Sequence, residues 1–216
     1  MKPAIVIVGA GGHAKVVADI ILLEGRFELA GATDASPRGK AARACGLRVL
    51  GTDAVLKKLF SRGIRHATVG LGSIKDTGPR RRLREKLTAL GFILPPLVHP
   101  SAVVARSVRL WPGAQVMAGV LINPGAVLGS NCVLNTGAVV EHDTTIGRDA
   151  FIGPGARIGG AVHVGEGAFI GIGAVLIQGV RVGARAVVGA GAVVLRDVPA
   201  GRTACGVPAA MKGNGG

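Results

Sequence analysis

Aromatic and acidic residues are scarce in this chain of 216 residues. Aromatic side chains make up 3% of it, tyrosine is absent and tryptophan occurs once. Proteins that hold single-stranded nucleic acids stack bases on aromatic side chains, so the composition predicts no nucleic-acid partner. The 26 Lys and Arg residues outnumber the 12 Asp and Glu residues, and the net charge of +14 predicts attraction of polyanions of some other kind.

Basic residues are dense in only one segment, residues 79–90. Leucines recur there at helical spacing, at Leu83, Leu87 and Leu90, which predicts a helix with one apolar stripe. We expect its basic residues to form a solvated face, and a polyanion-binding patch is the alternative. They are Arg80, Arg81, Arg82, Arg84 and Lys86.

Cysteine and long apolar runs are also rare. Cys45, Cys132 and Cys205 are widely spaced, with no CxxC pair, which predicts free thiols rather than disulfides or a zinc site. No apolar run reaches the roughly 18 residues that a membrane span needs. The apolar segment after Met1 is too short for a signal peptide. We therefore expect a cytoplasmic protein that does not insert into a membrane.

Glycine is abundant, with 36 residues, and the chain carries a strict internal repeat. Every sixth residue from Val98 to Val194 is Leu, Ile or Val, over seventeen consecutive positions. Such a period indicates a solenoid, and a hexapeptide period indicates a parallel β-helix. We expect the aliphatic residues to point into the axis and the recurrent Gly and Ala to allow the corners. The repeat predicts two domains, residues 1–97 and residues 98–216.

The first domain begins with a strand–helix–strand pattern. Residues 4–8 and 29–32 are typical of buried strands and residues 14–23 of a helix, and a later strand is expected at 67–70. Between the first strand and the helix, the glycine loop (residues 9–13) matches a dinucleotide fingerprint, and Asp34 follows at the distance of its acidic residue. This leaves an NAD-binding oxidoreductase as an alternative. Because residues 1–97 are too few for a six-stranded dinucleotide fold, we favour a half-fold that binds one nucleotide.

Four motifs carry a resemblance to a known family. They are Val6 with Gly9-Ala10-Gly11-Gly12-His13, His99-Pro100-Ser101-Ala102, Asn135-Thr136 through Glu141-His142-Asp143, and Asp197-Val198-Pro199 with Gly206-Val207-Pro208-Ala209. The chain resembles the hexapeptide-repeat sugar acyltransferases, in the subgroup of the sialic acid O-acetyltransferase and the bacillosamine and perosamine N-acetyltransferases. The resemblance implies a left-handed β-helix and a homotrimer with active sites between subunits.

The same resemblance implies an activity. We expect acetyl transfer from acetyl-CoA to the amine of a nucleotide-linked 4-amino-4,6-dideoxy sugar, such as GDP-perosamine or a UDP-bacillosamine precursor, in lipopolysaccharide or glycan biosynthesis. Sugar or sialic acid O-acetylation is the alternative. A zinc-dependent hydratase on the same fold needs three converging histidines, but His142 and His163 differ in their phase in the repeat. No metal is expected.

The resemblance also implies catalytic residues. His142 would be the general base that takes a proton as the amine attacks the thioester, which suits an imidazole, and Asp143 would support it. Because adjacent residues on a flat strand point to opposite faces, Asp143 reaches His142 only if a corner or a neighbouring subunit bends the geometry, and Glu141 is the alternative partner. Of the other histidines, His66 is expected at the surface, His99 in a structural turn and His163 at an exposed strand position.

Binding residues follow from the matching segments. The nucleotide sugar would contact Gly11, Gly12, His13, Asp34 and Gly70. Acetyl-CoA would contact Ile172 and Ala190. Many relatives carry a histidine at the donor pocket where this chain has Phe151, so we expect a different arrangement there.

Overall fold

The computed structural model describes residues 1–35 and 47–212. The N-terminal elements are β1 (Ala4–Val8), α1 (Gly12–Glu24), β2 (Glu28–Thr33), β3 (Val49–Gly51), a 3-10 turn (Asp53–Val55), α2 (Leu56–Ser61), β4 (His66–Val69) and α3 (Gly78–Ala89). Within this described part of the chain, four parallel strands form one sheet in the order β3-β2-β1-β4. The four elements expected before residue 70 and the helix expected at 79–90 are all present, each within two residues of its expected bounds.

This sheet is buried on both faces, which explains the continuous apolar sequence of β1. Ile5 and Ile7 pack with α1 in one cluster, and Val6 and Val8 pack with Leu56 and Leu87 in another. Side chains alternate between the two faces of a strand, so β1 separates α1 from α2 and α3. The sheet has four described strands, two fewer than the six-stranded fold that a dinucleotide-binding domain uses.

Residues 97–211 form a left-handed β-helix of short strands in three sheets. The eight-stranded sheet contains β5 (Leu97–Val98), β8 (Gln115–Val116), β11 (Val133–Leu134), β14 (Phe151–Ile152), β17 (Phe169–Ile170), β20 (Val187–Val188), β22 (Thr203–Cys205) and β23 (Ala210–Met211). The six-stranded sheet contains β6 (Val103–Val104), β9 (Leu121–Ile122), β12 (Val139–Val140), β15 (Arg157–Ile158), β18 (Val175–Leu176) and β21 (Val193–Val194). The five-stranded sheet contains β7 (Arg109–Leu110), β10 (Val127–Leu128), β13 (Thr145–Ile146), β16 (His163–Val164) and β19 (Arg181–Val182).

Each coil of the β-helix pairs with the next in the same register. Val133 lies opposite Phe151 and Phe151 lies opposite Phe169, a step of three hexapeptides. The repeating aliphatic residues point inward as predicted and are buried from Val116 to Val194, whereas Val98, Val104 and Leu110 at the first coil are partly buried. The core of the β-helix is therefore a column of aliphatic side chains.

The corners depend on two repeat positions. From Leu110 to Val188, the third residue after each aliphatic one takes a left-handed conformation, as at Gly137 (φ 67) and also at Asp143 (φ 58). The glycine directly after the aliphatic residue lies against the neighbouring coil, and a Cβ at Gly147 would lie 2.7 Å from the backbone N of Glu166. Small residues at corners thus serve close packing between coils, while the left-handed position sets the turn.

The N-terminal domain packs on the outer face of the eight-stranded sheet. The outward residues Gln115, Val133 and Phe151 are buried there, and Thr77 Oγ1 donates a hydrogen bond to Gly167 O at 3.0 Å. The outward residues of the six-stranded sheet are less covered, with Val103 64% and Leu121 43% exposed. Among the described residues, the first domain therefore covers the outer face of the eight-stranded sheet and leaves that of the six-stranded sheet more exposed.

Some expectations about single residues need correction. His66 is the first residue of β4, is half-buried and packs against Phe27 at 5.0 Å between ring centroids, so it is not a surface residue. His163 is exposed on β16 as predicted. Cys132 and Cys205 are free thiols, and Cys45 lies outside the described residues. Among the helices of residues 1–35 and 47–212, none has the length and apolarity that crossing a membrane requires.

Candidate active site

The glycine loop joins the end of β1 to the start of α1. Gly11 is the N-cap residue of α1. Because glycine has no side chain, no side-chain oxygen accepts a hydrogen bond from the first N–H groups of the helix. Gly11 and Gly12 are exposed, and a Cβ built on either would meet no atom within 4 Å. The loop therefore presents open backbone, with the positive end of a helix dipole, to a bound anion.

Gly70 has a packing role that its sequence position did not reveal. A Cβ there would lie 2.4 Å from Ile7 Cγ2 and 2.5 Å from Gly9 O, so Gly70 lets the end of β4 approach the glycine loop. Gly70 itself is buried, and Gly72, two residues on, lies beside His13 and lines the cavity in front of it. Asp34 follows β2 at the same end of the sheet, where its N–H donates to Gly51 O at 3.0 Å.

An open cavity of about 690 Å³ lies between the glycine loop and the β-helix. We call it the His13 cavity. Its lining comes from α1, from the loop before α3 and from the β-helix: Gly12, His13, Val16, Gly72, Ser73, Ile74, Asp76, Pro79, Asn135 and Phe151. Phe151 is 5% exposed and stacks on Phe169 at 5.5 Å between ring centroids. The aromatic residue is thus part of the packed floor of the cavity.

His13 stands at the inner end of this cavity. Its Nε2 lies 2.9 Å from Gln115 Oε1, and its ring is tilted against Phe151 at 6.4 Å between centroids. Burial, and secondarily the charge of Arg80, lowers the pKa of His13 to about 4, although the hydrogen bond to Gln115 acts in the opposite direction. His13 is therefore neutral at physiological pH.

The prediction that the basic residues of α3 form a solvated face is wrong for two arginines. Arg80 is 1% exposed and donates hydrogen bonds to Leu71 O, to Gln115 Oε1 at 3.2 Å and to Asn131 Oδ1 at 3.3 Å. Arg84 forms a bidentate pair with buried Asp149, both distances being 3.0 Å. These side chains join the two domains because α3 lies against the β-helix. Arg82 and Lys86 are exposed, as expected, and Arg81 is half-buried.

Sequence reasoning missed the β-helix members of this network: Gln115, Asn131 and Asp149. Asn131 Nδ2 donates to Asp149 Oδ1 at 2.7 Å, and the two residues are eighteen positions apart, one coil of the β-helix. Polar residues at that spacing stack in adjacent coils, so the spacing was a usable signal. That the network is buried could not be foreseen, because burial comes from the other domain.

The geometry around His142 answers the question of its partner. Asp143 takes a left-handed conformation at a corner, which turns its carboxylate toward the imidazole, and His142 Nδ1 lies 2.9 Å from Asp143 Oδ2. Glu141 is engaged elsewhere, since its Oε2 accepts from Asn123 Nδ2 at 2.8 Å. The side chains of His142 and Asp143 are 62% and 69% exposed. The pair therefore sits on the surface of the chain with the Nε2 of His142 turned away from Asp143.

Gly160 lies under the imidazole of His142. A Cβ at Gly160 would be 2.7 Å from His142 Nε2 and 2.9 Å from its Cε1. Because Gly160 is one coil further along, its lack of a side chain makes the space in which the ring of His142 lies. This is a second residue that sequence reasoning missed at this corner.

One chain does not bring the predicted groups together. Asn135 at the His13 cavity, Ile172 and Ala190 all follow strands of the eight-stranded sheet and precede strands of the six-stranded sheet, so they share one corner of the β-helix. His142 follows β12 and precedes β13, which places it at the next corner, between the six-stranded and five-stranded sheets. Among the described residues, no group of three or more His, Cys, Asp or Glu side chains is arranged to hold a metal ion.

The α/β domain and the hexapeptide β-helix define a class, the hexapeptide-repeat acyltransferases. Residues 4–87 match the PglD N-terminal domain family, and residues 125–160 and 161–196 match the bacterial transferase hexapeptide family of six repeats. A search of curated proteins gave no match.

Solved structures resemble the whole chain. GDP-perosamine N-acetyltransferase from Caulobacter crescentus, in a histidine-to-alanine variant bound to CoA and GDP-perosamine, is 43% identical, with 98% of this chain and 97% of that chain covered and a TM-score of 0.91. The acetyltransferase domain of PglB from Neisseria gonorrhoeae, bound to acetyl coenzyme A, is 35% identical, with 98% and 100% covered and a TM-score of 0.88. WeeI from Acinetobacter baumannii is 25% identical, with 98% and 100% covered and a TM-score of 0.78. The chain belongs to the hexapeptide-repeat sugar N-acetyltransferases that carry a PglD-type N-terminal domain.

Proposed function

We propose that this protein transfers the acetyl group of acetyl-CoA to the amine of a nucleotide-linked 4-amino-4,6-dideoxy sugar, with GDP-perosamine as the leading substrate. The observation that carries the proposal is the 43% identity, over 98% of the chain, to an enzyme solved with CoA and GDP-perosamine. The open helix N-terminus at the glycine loop and the exposed His142–Asp143 pair supply the two chemical requirements, an anion site and a base.

The reaction needs a neutral amine and a route for its proton. The amine nitrogen attacks the thioester carbon, a C–N bond forms, the C–S bond breaks and the CoA thiol leaves with a proton. In this proposal His142 Nε2 accepts the amine proton as the tetrahedral intermediate forms. Asp143 holds Nδ1 at 2.9 Å, which fixes the proton on that nitrogen and stabilises the imidazolium.

The N-terminal domain, residues 1–97, holds the nucleotide in this proposal. The backbone N–H groups at Gly11 and Gly12 meet the pyrophosphate, because open backbone at a helix N-terminus binds anions. Asp34 lies at the carboxyl end of β2, the edge where a ribose or base binds in such sheets. His13 faces the sugar from the inner end of its cavity, and Gly70 acts by packing the loop behind it.

The second domain, residues 98–216, holds the acetyl donor in this proposal. Ile172 is 61% exposed and Ala190 lies one coil away at the same corner, where Gly191 N donates to Ile172 O at 2.8 Å. This corner continues to Asn135 at the His13 cavity, so a donor lying along it would reach the acceptor sugar. Phe151 offers a packed aromatic surface there instead of a hydrogen-bonding group.

A homotrimer completes the site in this proposal. His142 lies at a different corner from the donor-binding residues, so an active site that contains both requires the corner of a second copy. The outer face of the six-stranded sheet between these corners is apolar, with Val103, Leu121 and Val175 along it, and only Arg157 interrupts the row of outward residues from β6 to β21. Burying such a face favours assembly. Free thiols at Cys132 and Cys205 are compatible with a cytoplasmic enzyme.

The test is a pair of acceptors that differ in one atom. Purified protein with acetyl-CoA and GDP-perosamine should release the CoA thiol and yield a product heavier by one acetyl group in mass spectrometry. The matching nucleotide sugar with a hydroxyl in place of the amine should react far more slowly. Preferred acetylation of the hydroxyl acceptor would make the enzyme an O-acetyltransferase. If neither acceptor led to release of CoA, the result would count against the proposal.

A further inference from the structure

Two histidines face the proposed reaction from different surroundings, and the mechanism uses only His142 as a base. His13 is partly buried, lines the cavity and bonds to a side chain of the other domain through Nε2. Its Nδ1 has no hydrogen-bond partner among the residues that the structure describes. What Nδ1 offers a ligand depends on which ring nitrogen carries the proton.

The neighbours of Gln115 fix the orientation of its amide. Gln115 Nε2 lies 2.8 Å from Val69 O and 2.9 Å from Thr68 Oγ1, and a backbone carbonyl only accepts hydrogen bonds. On the other side of the amide, Oε1 lies 3.2 Å from Arg80 Nη2, and a guanidinium only donates. Both contacts require the amide nitrogen to face Val69 and the oxygen to face Arg80 and His13.

The orientation of Gln115 in turn fixes the proton of His13. Because Gln115 Oε1 has lone pairs and no hydrogen, the 2.9 Å contact requires His13 Nε2 to donate. A neutral imidazole that donates from Nε2 has an unprotonated Nδ1. We propose that Arg80 and Gln115 are positioning residues that hold His13 as the neutral Nε2-protonated tautomer, so that Nδ1 accepts a hydrogen bond from a hydroxyl or amino group of the sugar.

Charges around His13 support the neutral ring. The positive Arg80 of α3 faces it through Gln115, and burial acts in the same direction, so that the pKa of His13 falls to about 4. Asp76 lines the same cavity from the loop before α3, and Asn135 and Phe151 face it from the β-helix without charge. Lys15 on α1 is exposed. Asp149 lies behind Arg80, bonded to Asn131 and Arg84.

Arg80 also holds the backbone that completes the cavity. It donates from Nη1 to Leu71 O and, at 3.5 Å, to Val69 O, the two residues on either side of Gly70. A single buried guanidinium thus links the segment that leads to Gly72, the amide that sets His13, and Asn131 of the β-helix. This inference rests on the proposed function for the identity of the ligand, whereas the tautomer of His13 is a property of the free protein.

Nuclear magnetic resonance of the free, intact protein with ¹⁵N-labelled histidine is the test. His13→Ala assigns the His13 signals by their loss. We expect Nε2 of His13 to be protonated and Nδ1 unprotonated from pH 8 down to pH 5.5. A proton on Nδ1, or a doubly protonated ring in this range, would overturn the proposal.

Variants then separate the effect of the buried Arg80 on His13 from the effect of any positive charge on the same helix. Arg80→Met should raise the pH at which His13 takes up a second proton, while Arg82→Met, an exposed arginine on the same helix, should leave it unchanged. Gln115→Glu should give a protonated His13 at neutral pH, because a carboxylate stabilises the imidazolium. Unchanged His13 signals in both folded Arg80→Met and Gln115→Glu would contradict the assignment.

Kinetics provide the second measurement. Gln115→Glu should raise the KM for the nucleotide sugar roughly tenfold, the value of one hydrogen bond, with little change in kcat or in the KM for acetyl-CoA. A fall in kcat at unchanged KM would overturn the positioning role. A protein with the expected tautomer that acetylates no amino sugar would refute the proposed function and still support the assignment of Arg80 and Gln115.

Discussion

The two histidines of the proposed site differ in how the molecule makes them usable. His142 is exposed on a corner of a regular repeat, and its partner Asp143 is the next residue in the chain. His13 is partly buried at a junction of two domains, and its partner Gln115 is 102 positions away. A local pair is specified by the conformation of one corner, whereas the His13 network exists only when the domains dock. The His142–Asp143 pair should therefore tolerate substitutions in the other domain, whereas the His13 network should be sensitive to them.

The largest effect is expected at His142. His142→Asn keeps approximate size but cannot accept the amine proton, so kcat should fall by roughly 10²- to 10⁴-fold, with little change in either KM. Asp143→Asn should lower kcat by a smaller factor, because it removes the carboxylate that supports the base and leaves the base itself in place. Steady-state kinetics with both substrates measure these values. Near-normal turnover in His142→Asn at neutral pH would remove His142 from the role of base.

A residue one coil away should affect His142 almost as strongly. Gly160→Ala places a methyl group 2.7 Å from the present position of His142 Nε2, so the ring must move. Because small displacements of a catalytic group are costly, we expect kcat to fall roughly 10- to 100-fold. The control is the same change in the His142→Asn background, where it should cause no comparable further loss. Equal losses in both backgrounds would mean that Gly160 acts on folding instead.

The buried histidine should make stability depend on pH. Its pKa is 6.5 in the unfolded reference and about 4 in the folded protein, so between these values the unfolded chain binds more protons. The free energy of unfolding should therefore fall as pH drops through this window, by up to about 3 kcal/mol from this group. His13→Gln should flatten the dependence in urea denaturation, and Asn135→Ala, a cavity residue without a titrating group, should keep it. Identical slopes for His13→Gln and wild type would contradict the burial argument.

Two glycines near His13 should respond in opposite ways to the same small change. Gly11→Ala meets open space, so it should leave the free energy of unfolding nearly unchanged and raise the KM for the nucleotide sugar several-fold by crowding the pyrophosphate. Gly70→Ala meets Ile7 at 2.4 Å and should destabilise the protein by about 1–3 kcal/mol. Thermal unfolding and kinetics on both variants check this pair. A Gly11→Ala variant that is destabilised as much as Gly70→Ala would show that the loop is a tight turn.

Much of the fold was predictable because its rules are local. The hexapeptide period predicted the buried aliphatic column from Val116 to Val194, and the continuous apolar run of β1 predicted a buried strand. The partner of His142 stayed open in the sequence, since a flat strand would have turned Asp143 to the other face. Its positive φ of 58° decided the matter.

What the sequence by itself determined is the solenoid and the half-fold before it, because each follows from contacts between neighbours or from a constant repeat. What only the tertiary structure decided is which arginines of the basic helix α3 are buried and what they contact. Its pattern indicated a solvated face, but docking on the eight-stranded sheet buried Arg80 against Gln115 and paired Arg84 with Asp149, 65 positions away. A local period identifies which side chains share a helix face, and it contains no information about the surface that this face will meet.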